Sequence, residues 1–169
     1  MHRVSVLPLV VAALLPAVAA CGDDDDPSST ATSFRAELVG ANEEPAVATN
    51  ATGSAILAVN GQQIEYTVNV SNLQNAVLAH IHIAPPHVNG PVRLNLCGTG
   101  PPLPACASGT GVLVTGANGA TLGISFDSLV SAMRTGGAYV NVHTSAEGCT
   151  DGQPGCHPGG EIRGQVEPD

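Results

Sequence analysis

Residues 54–70 read SAILAVNGQQIEYTVNV. Ile64, Tyr66, Val68 and Val70 alternate with Glu65, Thr67 and Asn69, which places the apolar set on one face of a strand and the polar set on the other. Upstream, Ala55 to Val59 forms a second extended run. The Asn60-Gly61 pair between the two is a hairpin signal, because tight two-residue turns need the positive φ that Gly and Asn tolerate. Outward from this hairpin, further short runs bounded by Gly, Pro and Asn lie at Phe34 to Val39, Val77 to Ile83, Val92 to Leu96, Val112 to Thr115, Ala120 to Ile124, Ala138 to Thr144 and Glu161 to Val166. The pattern predicts an all-β domain of about nine strands, a Greek-key-like sandwich or barrel. One segment has a different period: Phe126, Leu129, Val130 and Met133 fall at helical spacing before Gly136-Gly137, which predicts one short helix closing an end of the domain. With two Phe, two Tyr and no Trp, the core must be built from Val, Leu, Ile and Ala.

The amino terminus predicts export. A single Arg3 precedes an apolar run from Val4 to Ala20, too short and too lightly flanked for a membrane span, and residues 1–20 read as a signal peptide. The sequence Val18-Ala19-Ala20-Cys21 resembles a bacterial lipobox, which implies cleavage before Cys21 and lipidation of that cysteine; the alternative is an ordinary secretory signal with an incidental thiol. Residues 21–33, GDDDDPSSTATS after the cysteine, form a polar acidic tether with too little apolar surface to fold. The expected location is the cell envelope, lipid-anchored on the periplasmic or outer surface. Residues 34–167 form the folded domain.

The full chain carries a formal net charge of -9. Removal of Arg3 with the signal leaves four arginines against 14 acids, about -10 for the mature protein. With no lysine and no basic cluster, nucleic acid and anionic lipid headgroups are excluded as electrostatic partners. The remaining cysteines predict disulfides in an oxidising compartment. Cys97 with Cys106 and Cys149 with Cys156 is the preferred pairing, because each pair brackets a Gly/Pro-rich loop; zinc is the rival use of these thiols, although neither pair has CxxC spacing.

The histidines are the most chemically pointed feature. In the strand Val77 to Ile83, His80 and His82 share one face with Leu78, about 7 Å apart. In AYVNVHT, Tyr139, Asn141 and His143 share one face and Val140 and Val142 the other. If the two strands are neighbours, three imidazoles meet, a donor set suited to copper, zinc or nickel. The competing reading is three half-buried histidines bonded to loop backbone. His87 and His157 fall in Pro/Gly loops and read as solvent-exposed. Neither a nucleophile elbow nor a paired carboxylate arrangement is present to suggest a hydrolase.

The motifs AHIH, NGP, YVNVHT and GEIRGQ, in that order within residues 34–166, resemble the chordin-type (CHRD) domain. The resemblance implies the β fold and, by analogy with chordin, protein binding. A more distant resemblance is to the copper/zinc superoxide dismutase sandwich, in which an HxH strand and a late histidine strand supply copper ligands. It implies a superoxide-dismutase-like fold of about eight to nine strands, with His80, His82 and His143 as ligands and Arg163 in loose correspondence to an active-site arginine. The dismutase loop with its bridging histidine and zinc set has no counterpart: between Ala84 and Cys106 there is one histidine, His87, and no acid. Glu161 and Arg163 are expected beside the ligands, orienting them or forming an ion pair. Three functions follow as expectations: a copper-binding envelope protein, a protein-binding or adhesion module with structural histidines, and a redox enzyme of dismutase type.

Overall fold

The structure is a computed structural model that describes residues 30–169. The expected signal peptide, the expected lipidation site Cys21 and most of the expected acidic tether lie outside the described residues. Within them, β1 (Ser33–Val39), β2 (Thr52–Asn60), β3 (Gln63–Leu73), β4 (Ala76–Ile83), β5 (Val92–Cys97) and β6 (Gly109–Asn118) precede the helix α1 (Phe126–Arg134). β7 (Ala138–Thr144), β8 (His157–Gln165) and the two-residue β9 (Glu167–Pro168) follow it.

The opening hairpin forms, with its turn one residue beyond the expected Asn60-Gly61 pair. Asn60 pairs with Gln63, so the turn residues are Gly61 and Gln62, with Gly61 at φ 59°. Gly at the first turn position is what a hairpin of this hand calls for. The sheet continues in the order β5-β4-β7-β8-β1-β2-β3-β6, with β9 beside β1. The edges β5 and β6 then approach each other and are tied by side chains rather than a ladder. Asn118 Nδ2 on β6 donates to Asn95 O at 2.9 Å, and Tyr66 Oη, reaching past β6 from β3, donates to Leu96 O at 2.8 Å. The result is a nearly closed, all-β barrel.

Its interior is aliphatic. Leu38, Leu57, Ile64, Val68, Ile81, Leu94, Leu96, Val140, Val142 and Ile162 are all fully buried in one cluster. The helix seats Phe126, Leu129, Val130 and Met133 on this core, the four residues its spacing singled out. Disulfides join Cys97 to Cys106 and Cys149 to Cys156. Both pairings follow the bracketed loops, and zinc loses its thiolates.

Two expectations need correction. Ala120 to Ile124 is not a strand: these residues are a bent connection between β6 and α1, held by Leu122 N donating to Arg93 O at 2.9 Å. The ninth strand is Glu167–Pro168 instead, too short to carry an alternation signal. His157 is not an exposed loop residue, because it opens β8 and is buried.

Candidate metal centre

β4 and β7 lie side by side, with His80 opposite Asn141, His82 opposite Tyr139 and Leu78 opposite His143. Their inward alternates, Ala79, Ile81, Val140 and Val142, fill the barrel core. The histidine face points the other way, beneath the loops that follow β1, β4 and β7. Both faces of these strands are therefore covered, and all seven residues of β7 are buried. β8 adds a third row on the same face, with Arg163 opposite Asn141 and Gln165 opposite Tyr139. The ladder between β7 and β8 slips between Val142 and Thr144, which leaves His143 free of strict pairing on that side. Irregularities of this kind re-aim side chains, and they recur next to functional sites.

The three imidazoles converge. His80 Nδ1 and His143 Nε2 are 3.2 Å apart. One candidate ligand nitrogen from each of His80, His82 and His143 lies within 4.8 Å of the others. Two nitrogens bound at about 2.0–2.1 Å to one tetrahedral ion sit roughly 3.3 Å apart, so the His80–His143 separation already matches a shared ion.

Hydrogen bonds determine which nitrogens are available. His82 Nδ1 donates to Gly90 O at 2.9 Å and His143 Nδ1 donates to Pro158 O at 2.9 Å. A carbonyl oxygen only accepts, so both Nδ1 atoms carry the proton and both Nε2 atoms expose a lone pair. His82 Nε2 is buried without any hydrogen-bond partner. This is the arrangement that orients a ligating imidazole: one nitrogen anchored to a carbonyl, the other bare. Without an ion, His80 Nδ1–H donates to His143 Nε2, and binding needs only a shift of the His80 proton to its other nitrogen.

Burial keeps the rings neutral. Desolvation, with the neighbouring histidines adding repulsion, lowers the pKa of His80 to about 4. The His82 pKa is also lowered to about 4, chiefly by desolvation. Desolvation lowers that of His143 too. Neutral imidazoles are the form that binds transition metals.

Arg163 and Glu161 are placed near the cluster, and neither bonds an imidazole. Glu161 is buried and accepts from Thr49 Oγ1 at 2.7 Å and Thr144 Oγ1 at 2.6 Å. Arg163 donates to Asn89 Oδ1 at 3.2 Å and to Val88 O at 2.9 Å. Its guanidinium lies 3.5 Å over the Tyr139 ring, which stacks on His82 at 4.7 Å with 11° between the planes. Arg163 thus reaches His82 through Tyr139, and it also holds the loop that supplies Gly90 O. His87 is exposed and bonds Glu44 Oε1 at 3.0 Å, away from the cluster.

Two buried participants were not among the expected site residues. Asn141 lies between His80 and Arg163, and Glu43 reaches over it from the loop after β1. The alternation of AYVNVHT places Asn141 on the histidine face, but Glu43 gave no signal, since Glu43-Glu44 before a proline reads as ordinary solvated loop.

A nearly closed, all-β barrel with a buried three-histidine cluster describes the class of molecule. The model of the CHRD domain matches residues 34–166, so the chain belongs to the CHRD-domain family. No curated protein and no solved structure matches the chain. The two disulfides and the CHRD domain are compatible with an exported protein.

Proposed function

We propose that this is an exported CHRD-domain protein, lipid-anchored through Cys21, that binds a copper ion with His80, His82 and His143. The observation that supports it best is the 3.2 Å approach of His80 Nδ1 to His143 Nε2 beside an unpartnered, buried His82 Nε2. Three neutral imidazoles with no carboxylate among them suit copper, and among divalent ions the intrinsic affinity of such a set peaks at copper. All four cysteines of the domain are tied in disulfides, so no thiolate competes for the ion. The export reading is supported by the apolar run ending at Val18-Ala19-Ala20-Cys21 and by the acidic tether after it.

The test is a titration of the purified protein with copper and zinc, beside His80→Ala and His143→Ala. Wild type is expected to take up one copper ion per chain, more tightly than zinc. Each variant is expected to lose about 100-fold or more in affinity, since loss of even an outer-shell partner costs 10–100-fold. Indistinguishable binding by wild type and variants overturns the proposal.

A further inference from the structure

The loop 145–156 joins β7 to β8, and the hydrogen bond that orients His143 crosses its mouth. His143 Nδ1 donates to Pro158 O at 2.9 Å. The sheet does not set the position of this carbonyl. Between the ladder pairs Val142–Ile162 and Thr144–His157, β7 has only His143, whereas β8 has residues 158–161. Pro158 therefore sits on a wide bulge, where it and Gly159 are exposed and Gly160 has φ 131°. Two successive glycines pass little of the ladder's order back to Pro158, because glycine has the widest choice of backbone angles.

What fixes the carbonyl lies upstream. His157 N donates to Thr144 Oγ1 at 3.0 Å, and Cys156, the residue before it, is bonded to Cys149. Cys149 closes a turn just past the end of β7, in which Cys149 N donates to Ala146 O and Ala146 N to Cys149 Sγ, both at 3.1 Å. The disulfide thus ties the end of the strand that carries His143 to the segment that carries its acceptor. Apart from Asn75 Nδ2 donating to Gly155 O at 3.2 Å, the hydrogen bonds of residues 146–156 are local turns. The two sulfurs differ in access. Cys156 is 2% exposed, whereas Cys149 is half-buried between exposed loop residues, so a thiol arriving from solvent meets Cys149 Sγ.

We propose that Cys149–Cys156 is a redox latch on the metal centre: oxidised, it holds Pro158 O against His143 Nδ1, and its reduction by a dithiol releases that anchor and weakens metal binding. The inference rests on the three-histidine site proposed above. In the exchange, one thiolate of the dithiol attacks Cys149 Sγ, the S–S bond breaks, and Cys156 leaves and takes up a proton. The second thiol then displaces Cys149. The protein gains two electrons and two protons, and the dithiol becomes a disulfide. Loss of a group that orients a ligating imidazole costs 10–100-fold in metal affinity.

The experiment has two readouts. In the metal-free protein, with chelator present, the His143 Nδ1–H proton is expected to give a sharp NMR signal in slow exchange with water. That signal is expected to vanish after reduction with dithiothreitol and its removal under nitrogen, and in Cys149→Ser/Cys156→Ser, but to persist in Cys97→Ser/Cys106→Ser. The second readout is titration with zinc, which has no redox chemistry of its own. Affinity is expected to fall about tenfold or more in the reduced wild type and in Cys149→Ser/Cys156→Ser, and to hold in Cys97→Ser/Cys106→Ser. If a serine pair does not fold, the reduced wild type decides. A His143 signal that persists after verified reduction, or a zinc affinity unchanged or raised by it, would overturn the latch. Failure of the oxidised wild type to take up zinc or copper overturns the metal site itself, and the metal-free signal still decides whether the disulfide holds the anchor.

Discussion

His82 and His143 each spend one nitrogen on a backbone carbonyl, and that local choice makes the other nitrogen useful. Anchoring at Gly90 O and Pro158 O fixes ring orientation as well as tautomer. Desolvation then removes protons as competitors until the solution is strongly acidic, because the His80 and His82 pKa values are lowered to about 4. An exposed histidine site begins to lose metal near pH 6.5. Here copper affinity is expected to hold within about twofold from pH 7.5 down to about 5.5 and to fall steeply only as pH approaches 4. Competition against a chelator corrected for its own protonation measures this, and a decline centred near pH 6.5 would contradict it. The sequence showed the three histidines by alternation alone, whereas the anchoring carbonyls, Gly90 O in the loop after β4 and Pro158 O at the start of β8, are set by chain paths that no periodicity encodes.

At the scale of elements, local pattern and tertiary demand agree closely in α1 and disagree in the segment before it. The helix begins at Ser125, whose side chain accepts from Ser128 N at 3.1 Å and satisfies one of the free amides of the first turn. Ser125→Ala is expected to destabilise the protein by about 1 kcal/mol in denaturant unfolding. No measurable change would mean that core contacts of Leu129 and Met133 hold the helix without its cap. Ala120 to Ile124 has the apolar content of a strand but meets the edge strand β5 only through the Leu122 bonds with Arg93, which do not extend into a ladder. Strand content is decided by available partners, which are non-local. The same reason explains why β8 starts earlier than its apolar pattern: pairing of Thr144 with His157 recruits residues that read as loop.

For the whole molecule, an aliphatic barrel with few aromatics relies on covalent constraint at its loops. The disulfides close short spans of 9 and 7 residues. Loop-closure entropy assigns each about 2.5 kcal/mol. Reduction is expected to lower Tm by roughly 10–20 °C for a domain of this size. An unchanged melting curve after verified reduction would show that the loops are ordered without the bridges. The sequence by itself determined the β class, the hairpin, the helix and the shared face of His80 with His82, because each follows from spacing within a few residues; it favoured the Cys97–Cys106 and Cys149–Cys156 pairs, which the structure then decided. Only the tertiary structure decided that β4 lies against β7 and brings His143 to that pair, and that Glu43 is buried over Asn141. Those outcomes depend on which strands become neighbours and on where loops fold back, contacts between residues far apart in the chain.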